Sequence, residues 1–122
     1  MNKHILIVED EAYIRDPYVE VLEKAGYQVS VAEDGEQALD KMSTKTYDLI
    51  LLDVMLPKMD ALEVMKQLDE KHALPKAPIL ILTNLANDPA IKELMKFGAT
   101  YYLLKVDVNP GQLVEKVQEI LK

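Results

Sequence analysis

Five short apolar runs, His4–Val8, Gln28–Ala32, Asp48–Leu52, Pro78–Leu82 and Thr100–Leu104, alternate along the chain with five segments whose apolar residues recur at helical spacing. Strand-like and helix-like periods in alternation predict βαβ units and an open parallel sheet. Three runs, Ile5-Leu6-Ile7-Val8, Leu49-Ile50-Leu51-Leu52 and Ile79-Leu80-Ile81-Leu82, are apolar at every position rather than every second one. Strands covered on both faces have that pattern, so these three are expected at the centre of the sheet.

Punctuation bounds the helical segments. Asp34 precedes Gly35–Ser43, Asp88-Pro89 precedes Ala90–Phe97, and Asn109-Pro110 precedes Gly111–Leu121. In the last two a capping side chain stands before a proline at the first helical position. Leu113, Val117, Ile120 and Leu121 fall on one stripe of the final helix, and Gly26 and Gly98 stand where the first and fourth helices should stop. Pro17 lies about a turn after Ala12, which predicts a kink or a late start in the first helix. There is no internal repeat, low-complexity tract or linker, and residues 1–122 read as one domain closing on its fifth helix.

The chain has 122 residues, of which 49% are apolar, enough for one ordinary core. Its apolar runs fall far short of the roughly 20 residues that cross a bilayer, and no signal-peptide pattern opens the chain. A cytoplasmic protein with no membrane contact is the expectation. With no cysteine, disulfides and thiolate-bound metals are excluded, which leaves oxygen ligands for any metal. The excess of 21 acidic over 14 basic residues, a formal charge of −7, has the wrong sign for neutralising phosphates, so direct nucleic-acid binding is not expected. Most of these acids read as solvated surface; those at strand ends need a further reason.

The first strand runs into Glu9-Asp10-Glu11, the third into Asp53, the fourth into Thr83 and the fifth into Lys105. Ligands of open α/β sheets bind outside the carboxyl ends of the strands. Singly, each residue has a plain structural reading as a cap, turn former or surface charge. Together they do not, because carboxylates gathered without a cation repel one another. A Mg²⁺ ion resolves the conflict, since it favours one or two carboxylates, water and a phosphate oxygen.

These residues closely resemble the receiver domains of two-component response regulators. The likeness runs from Lys3 to Leu121. It is carried by Ile-Val-Glu9-Asp10-Glu11, by Leu-Leu-Asp53-Val-Met55-Leu-Pro57, by Leu82-Thr83 and by Gly98-Ala99-Thr-Tyr-Tyr102-Leu-Leu-Lys105. It implies a doubly wound, flavodoxin-like (βα)5 fold with strand order 2-1-3-4-5, here of the stand-alone type. Asp53 would be the phosphoacceptor, taking its phosphoryl group from a sensor histidine kinase or a histidine phosphotransfer protein. Asp10 and Asp53 would hold Mg²⁺ directly, Glu9 directly or through water, and the Met55 carbonyl would complete the protein ligands. Lys105 would neutralise the phosphoryl group in flight. Thr83 would swing towards it and Tyr102 would follow, altering the surface around the fourth helix and fifth strand. Such a domain assists its own phosphorylation and slow autodephosphorylation without being an enzyme in the ordinary sense. Its output would be a contact with a downstream protein target, as a monomer or a weak phosphorylation-linked dimer.

Departures from the family pattern sharpen the expectations. Ala61 replaces a common glycine, Asn84 replaces the small residue after the switch threonine, and Thr100-Tyr101 replaces an acidic pair of the DNA-binding members, which weakens the case for their kind of dimer. Val106 replaces the proline after Lys105. A cis bond there would cost about 2.5–4 kcal/mol, so a trans Lys105–Val106 bond is expected, with Val106 tucked against the core and Lys105 still reaching the site. Met55 and Leu85, each two residues past a site residue, are apolar and cannot orient water, which implies a long-lived phosphorylated state.

Three rival readings are weaker. An aspartyl phosphohydrolase would need a general acid where Met55 stands. A flavodoxin-like cofactor carrier would need a phosphate loop where Glu9-Asp10-Glu11 stands. A phosphorylation-independent binding module of the same fold remains the alternative, ranked below the switch because all five chemical positions are present. His4 and His72 read as structural or solvated rather than as phosphohistidines.

Overall fold

A computed structural model describes residues 2–122. Strands β1 (His4–Val8), β2 (Gln28–Ala32), β3 (Leu49–Asp53), β4 (Ile79–Thr83) and β5 (Tyr101–Leu104) alternate with helices α1 (Ala12–Lys24), α2 (Gly35–Thr44), α3 (Ala61–Glu70), α4 (Pro89–Lys96) and α5 (Pro110–Ile120). The strands form one parallel sheet in the order β2-β1-β3-β4-β5. This is the doubly wound, flavodoxin-like arrangement anticipated from the sequence.

The all-apolar strands serve two cores at once. Leu6, Val8, Ile50, Leu52, Ile79 and Ile81 pack with Ala38, Met42, Val64, Leu68 and Leu94 of α2, α3 and α4. Their neighbours Ile5, Ile7, Leu49, Leu51, Leu80 and Leu82 pack with Tyr18, Leu22, Leu113 and Val117 of α1 and α5. Successive strand residues point to opposite faces, so a helix layer on each face demands an apolar residue at every position.

The register fixes the edge that matters. Val8 lies opposite both Ala32 and Leu52, Asp53 opposite Leu82, and Thr83 opposite Leu104. β3 and β4 therefore extend one residue beyond the apolar runs, because backbone pairing rather than side-chain polarity ends a strand. Asp53 and Thr83 are the last residues of their strands, not the first residues of loops.

α1 begins at Ala12 with Pro17 inside it, so the late start anticipated from that proline does not occur. Its first turn is closed by Arg15 N–H donating to the Glu11 carbonyl, and the Arg15 guanidinium donates to the Glu9 carbonyl at 3.0 Å. These contacts, with Tyr18 and Leu22 buried against the sheet, offset the hydrogen bond that Pro17 cannot give. Gly26 (φ 99°) and Gly98 (φ 116°) end α1 and α4 in the left-handed region, as their positions predict. His4 packs edge-on against Tyr47 and lies 2.7 Å from the Ser30 hydroxyl, a structural role.

Among the described residues no peptide bond is cis, so Lys105–Val106 is trans, as expected without a proline. Residues Lys105–Asp107 form a short 3-10 turn. The expectation that Val106 tucks against the core is wrong: it is 78% exposed. Lys105 points inward to the site, and the tight turn that follows carries the next side chain out to solvent.

Candidate functional site

Four strand ends converge on one pocket of charge. β1 delivers Glu9, fully buried, and Asp10, exposed; β3 ends on buried Asp53 and β4 on buried Thr83. Carboxylate oxygens of Glu9, Asp10 and Asp53 lie within 4.8 Å of one another. From β5 the Lys105 ammonium enters between two of them, 2.6 Å from Glu9 Oε1 and 3.0 Å from Asp53 Oδ2. The other Glu9 oxygen, Oε2, accepts the Glu11 backbone N–H at 3.2 Å.

Burial and the neighbouring Glu9 charge push the Asp53 carboxyl up from 3.8 to about 7, against the opposing pull of Lys105. Burial alone would lower the Lys105 ammonium, but its hydrogen bonds to Glu9 and Asp53 outweigh that and hold it above its ordinary value. Three carboxylates against one ammonium leave two negative charges in excess. That deficit suits one divalent cation. The clustered carboxylate oxygens match the oxygen-only preference of an ion such as Mg²⁺. Glu9, Asp10 and Asp53 are hard oxygen donors of the kind it takes.

The Thr83 hydroxyl is turned to its own loop, accepting the Leu85 N–H at 3.2 Å and lying 3.4 Å from the Leu85 carbonyl oxygen. Tyr102 is 45% exposed, beside α4 residues Pro89, Ile91 and Met95. The side chains of Met55 and Leu85 are exposed at 73% and 63%.

Two features escaped the sequence reading. The run Glu9-Asp10-Glu11 divides: Glu9 and Asp10 join the cluster, whereas the Glu11 carboxylate accepts the Tyr13 hydroxyl at 2.5 Å. Arg15 braces the acidic loop from below, with its guanidinium against the Glu9 carbonyl and 3.6 Å from the Glu33 carboxylate. Its place in the first turn of α1, just past three acids, was the available signal.

Residues 5–118 match the response regulator receiver domain family. The chain is 43% identical over 124 residues to the alkaline phosphatase synthesis transcriptional regulatory protein PhoP of Bacillus subtilis, and 38% identical over 122 residues to the transcriptional regulatory protein CpxR of Escherichia coli. All of this chain and half of each relative are covered, so the chain spans about half the length of these relatives. Among solved structures, chemotaxis response regulator CheY4 of Vibrio cholerae superposes with a TM-score of 0.86 at 33% identity, covering 99% of this chain and 100% of that one. Response regulator protein TrrA of Thermotoga maritima, in complex with Mg²⁺-BeF, does so with a TM-score of 0.79 at 34% identity, covering 98% and 99%.

Proposed function

The chain belongs to the response regulator receiver domain family of two-component signalling, and on that premise we propose that it is a phosphorylation switch whose acceptor is Asp53. The observation that carries this reading is the Asp53 carboxylate at the end of β3, with Lys105 at 3.0 Å and the Glu9 and Asp10 oxygens within 4.8 Å. The donor is a phosphohistidine on a sensor kinase or a phosphotransfer protein. An Asp53 oxygen forms the new O–P bond as the N–P bond breaks. The electron pair stays on the donor imidazole, which leaves neutral when its other nitrogen carries a proton.

A carboxylate attacks an anionic phosphoryl group only where the charge is compensated. Lys105 is held by Glu9 beside the acceptor and supplies a point charge to the phosphoryl oxygens. Glu9, Asp10, Asp53 and the Met55 carbonyl would hold Mg²⁺, which supplies further neutralisation of the phosphoryl oxygens when bound. The Thr83 hydroxyl then exchanges its Leu85 contacts for a phosphoryl oxygen, and Tyr102 turns into the space it leaves. The response is a changed surface on α4, β5 and α5, read by a downstream protein. The net charge of −7 disfavours direct contact with nucleic acid by this segment.

The test is incubation with acetyl phosphate and Mg²⁺, read by intact-protein mass. The parent chain should gain one phosphoryl group, and neither Asp53→Asn nor the parent in EDTA should. Stoichiometric modification of Asp53→Asn would move the acceptor elsewhere. No modification of the parent chain would favour the phosphorylation-independent binding module.

A further inference from the structure

The loop that carries Met55 is closed at its base, where Val54 accepts the Ala61 N–H at 3.2 Å. Its far end rests on α2. The Pro57 carbonyl accepts two backbone donors, Met59 N–H at 2.7 Å and Gly35 N–H at 3.4 Å. The first bond closes a three-residue turn centred on Lys58, whose φ of 67° is unusual for a side chain of that size. The Lys58 ammonium lies 3.5 Å from Asp34 Oδ2, while Asp34 Oδ1 caps α2 by accepting the Gln37 N–H at 2.8 Å.

Gly35 has no room for a side chain. A Cβ built there would overlap the Met59 carbonyl oxygen and stand 2.6 Å from both the carbonyl carbon and the Cβ of Met59. Most of that obstacle is backbone, so no rotamer change relieves it. We propose that the Asp34-Gly35 start of α2 is a positioning element for the metal site: by close backbone contact with Pro57–Met59 it sets the loop from Val54 to Ala61 and so the aim of the Met55 carbonyl.

The inference rests on the reading of the Met55 carbonyl as a metal ligand. α2 contributes no ligand itself, and its whole effect passes through the loop. A side chain at position 35 must push Met59 outward, and with Val54–Ala61 fixed at the base the displacement falls on the residues between, Met55 among them. Outer supports of metal ligands typically change affinity by about 10- to 100-fold when removed.

Mg²⁺ titration of the folded proteins by calorimetry, with folding checked by circular dichroism, provides the test. Gly35→Ala should bind Mg²⁺ about 10-fold more weakly or worse than the parent, whereas Gly111→Ala on α5, whose Cβ would meet only Asn109 Oδ1 at 3.4 Å, should match it. A second measurement needs no variant. In the parent chain, Mg²⁺ should slow hydrogen exchange at the Gly35 amide, which donates to Pro57, with the midpoint of the metal titration, and leave Gly111 unchanged. Unaltered affinity in folded Gly35→Ala, or a Gly35 amide indifferent to Mg²⁺, overturns the inference alone. A parent chain that binds no Mg²⁺ overturns the metal reading and the inference with it.

Discussion

The Lys105 ammonium stands between Glu9 Oε1 and Asp53 Oδ2, at 2.6 and 3.0 Å, and these two carboxylates, one just past β1 and one ending β3, are both buried. Without a metal, this one cation offsets their repulsion. Removing one partner of a buried ion pair costs far more than the pair contributes over an apolar replacement, because a charge is left uncompensated. In EDTA, Lys105→Met should therefore lose roughly 3 kcal/mol of stability in urea unfolding. Protonation of Asp53 limits the loss, and saturating Mg²⁺ should restore most of it by occupying the same carboxylates. An unchanged unfolding midpoint in EDTA would mean that Lys105 does not hold this cluster together.

The raised Asp53 carboxyl makes metal-free stability depend on pH. Its folded value of about 7 lies above its ordinary 3.8. Between these limits the native chain keeps a proton that the unfolded chain has released, so stability is greatest at the acid end and falls as pH rises through about 7. A displacement from about 4 to about 7 stores roughly 4 kcal/mol, and relaxation at the solvent-facing sheet edge should leave about half of it. In EDTA the parent should lose roughly 1 kcal/mol more than Asp53→Asn between pH 5 and pH 8, the rest of the loss having accrued below pH 5. Parallel pH profiles for the two proteins would show that Asp53 titrates normally.

How much of this was legible beforehand follows from which interactions are local. The three central strands were readable because two-sided burial forces an apolar residue at every position, and the caps Asp34, Asp88 and Asn109 were readable because a side chain bonding the first turn is a short-range event. The convergence of Glu9, Asp10, Asp53 and Lys105 followed from parallel topology. Val106 was misread because it was judged from its own backbone preference, whereas the inward reach of Lys105 turns it outward. The late start raised as one outcome of Pro17 is absent, since packing of Tyr18 and Leu22 holds α1 over the proline. The Gly35–Met59 approach joins the first residue of α2 to the loop after β3, and no pattern along the chain encodes it.

Met55 and Leu85, exposed at 73% and 63%, lie in the loops that follow β3 and β4, two residues after Asp53 and Thr83. Hydrolysis of an acyl phosphate needs a water held in line with the P–O bond, and neither side chain can hold one by hydrogen bonding. Replacing both, as Met55→Asn with Leu85→Gln, should shorten the phosphoryl lifetime by roughly tenfold. The decay of the phosphorylated mass after removal of the donor gives this rate directly. A lifetime equal to that of the parent would leave water access governed by something else.

Thr83 supplies the last prediction, because its present contacts are cheap to give up. Its hydroxyl accepts the Leu85 N–H at 3.2 Å, the long end for an N–H donor, and lies 3.4 Å from the Leu85 carbonyl oxygen, beyond the roughly 3.0 Å limit of an O–H donor. Neutral bonds of this kind contribute about 0.5–1.5 kcal/mol, against about 1.5–3 for a bond to a charged acceptor. A phosphoryl group on Asp53 should therefore draw the hydroxyl across with a net gain of roughly 1 kcal/mol, which moves a two-state balance about fivefold. Tyr102, half exposed on the neighbouring strand, is the reporter. With Mg²⁺ and beryllofluoride as the phosphoryl mimic, its ring resonances should shift in the parent and in Thr83→Ser, which keeps the hydroxyl, and stay near their free positions in Thr83→Ala. Thr83→Ala should still bind the mimic, since Asp53 and Lys105 are intact, so binding and response separate. A full Tyr102 shift in Thr83→Ala would show that the ring responds to the phosphoryl site without passing through the hydroxyl.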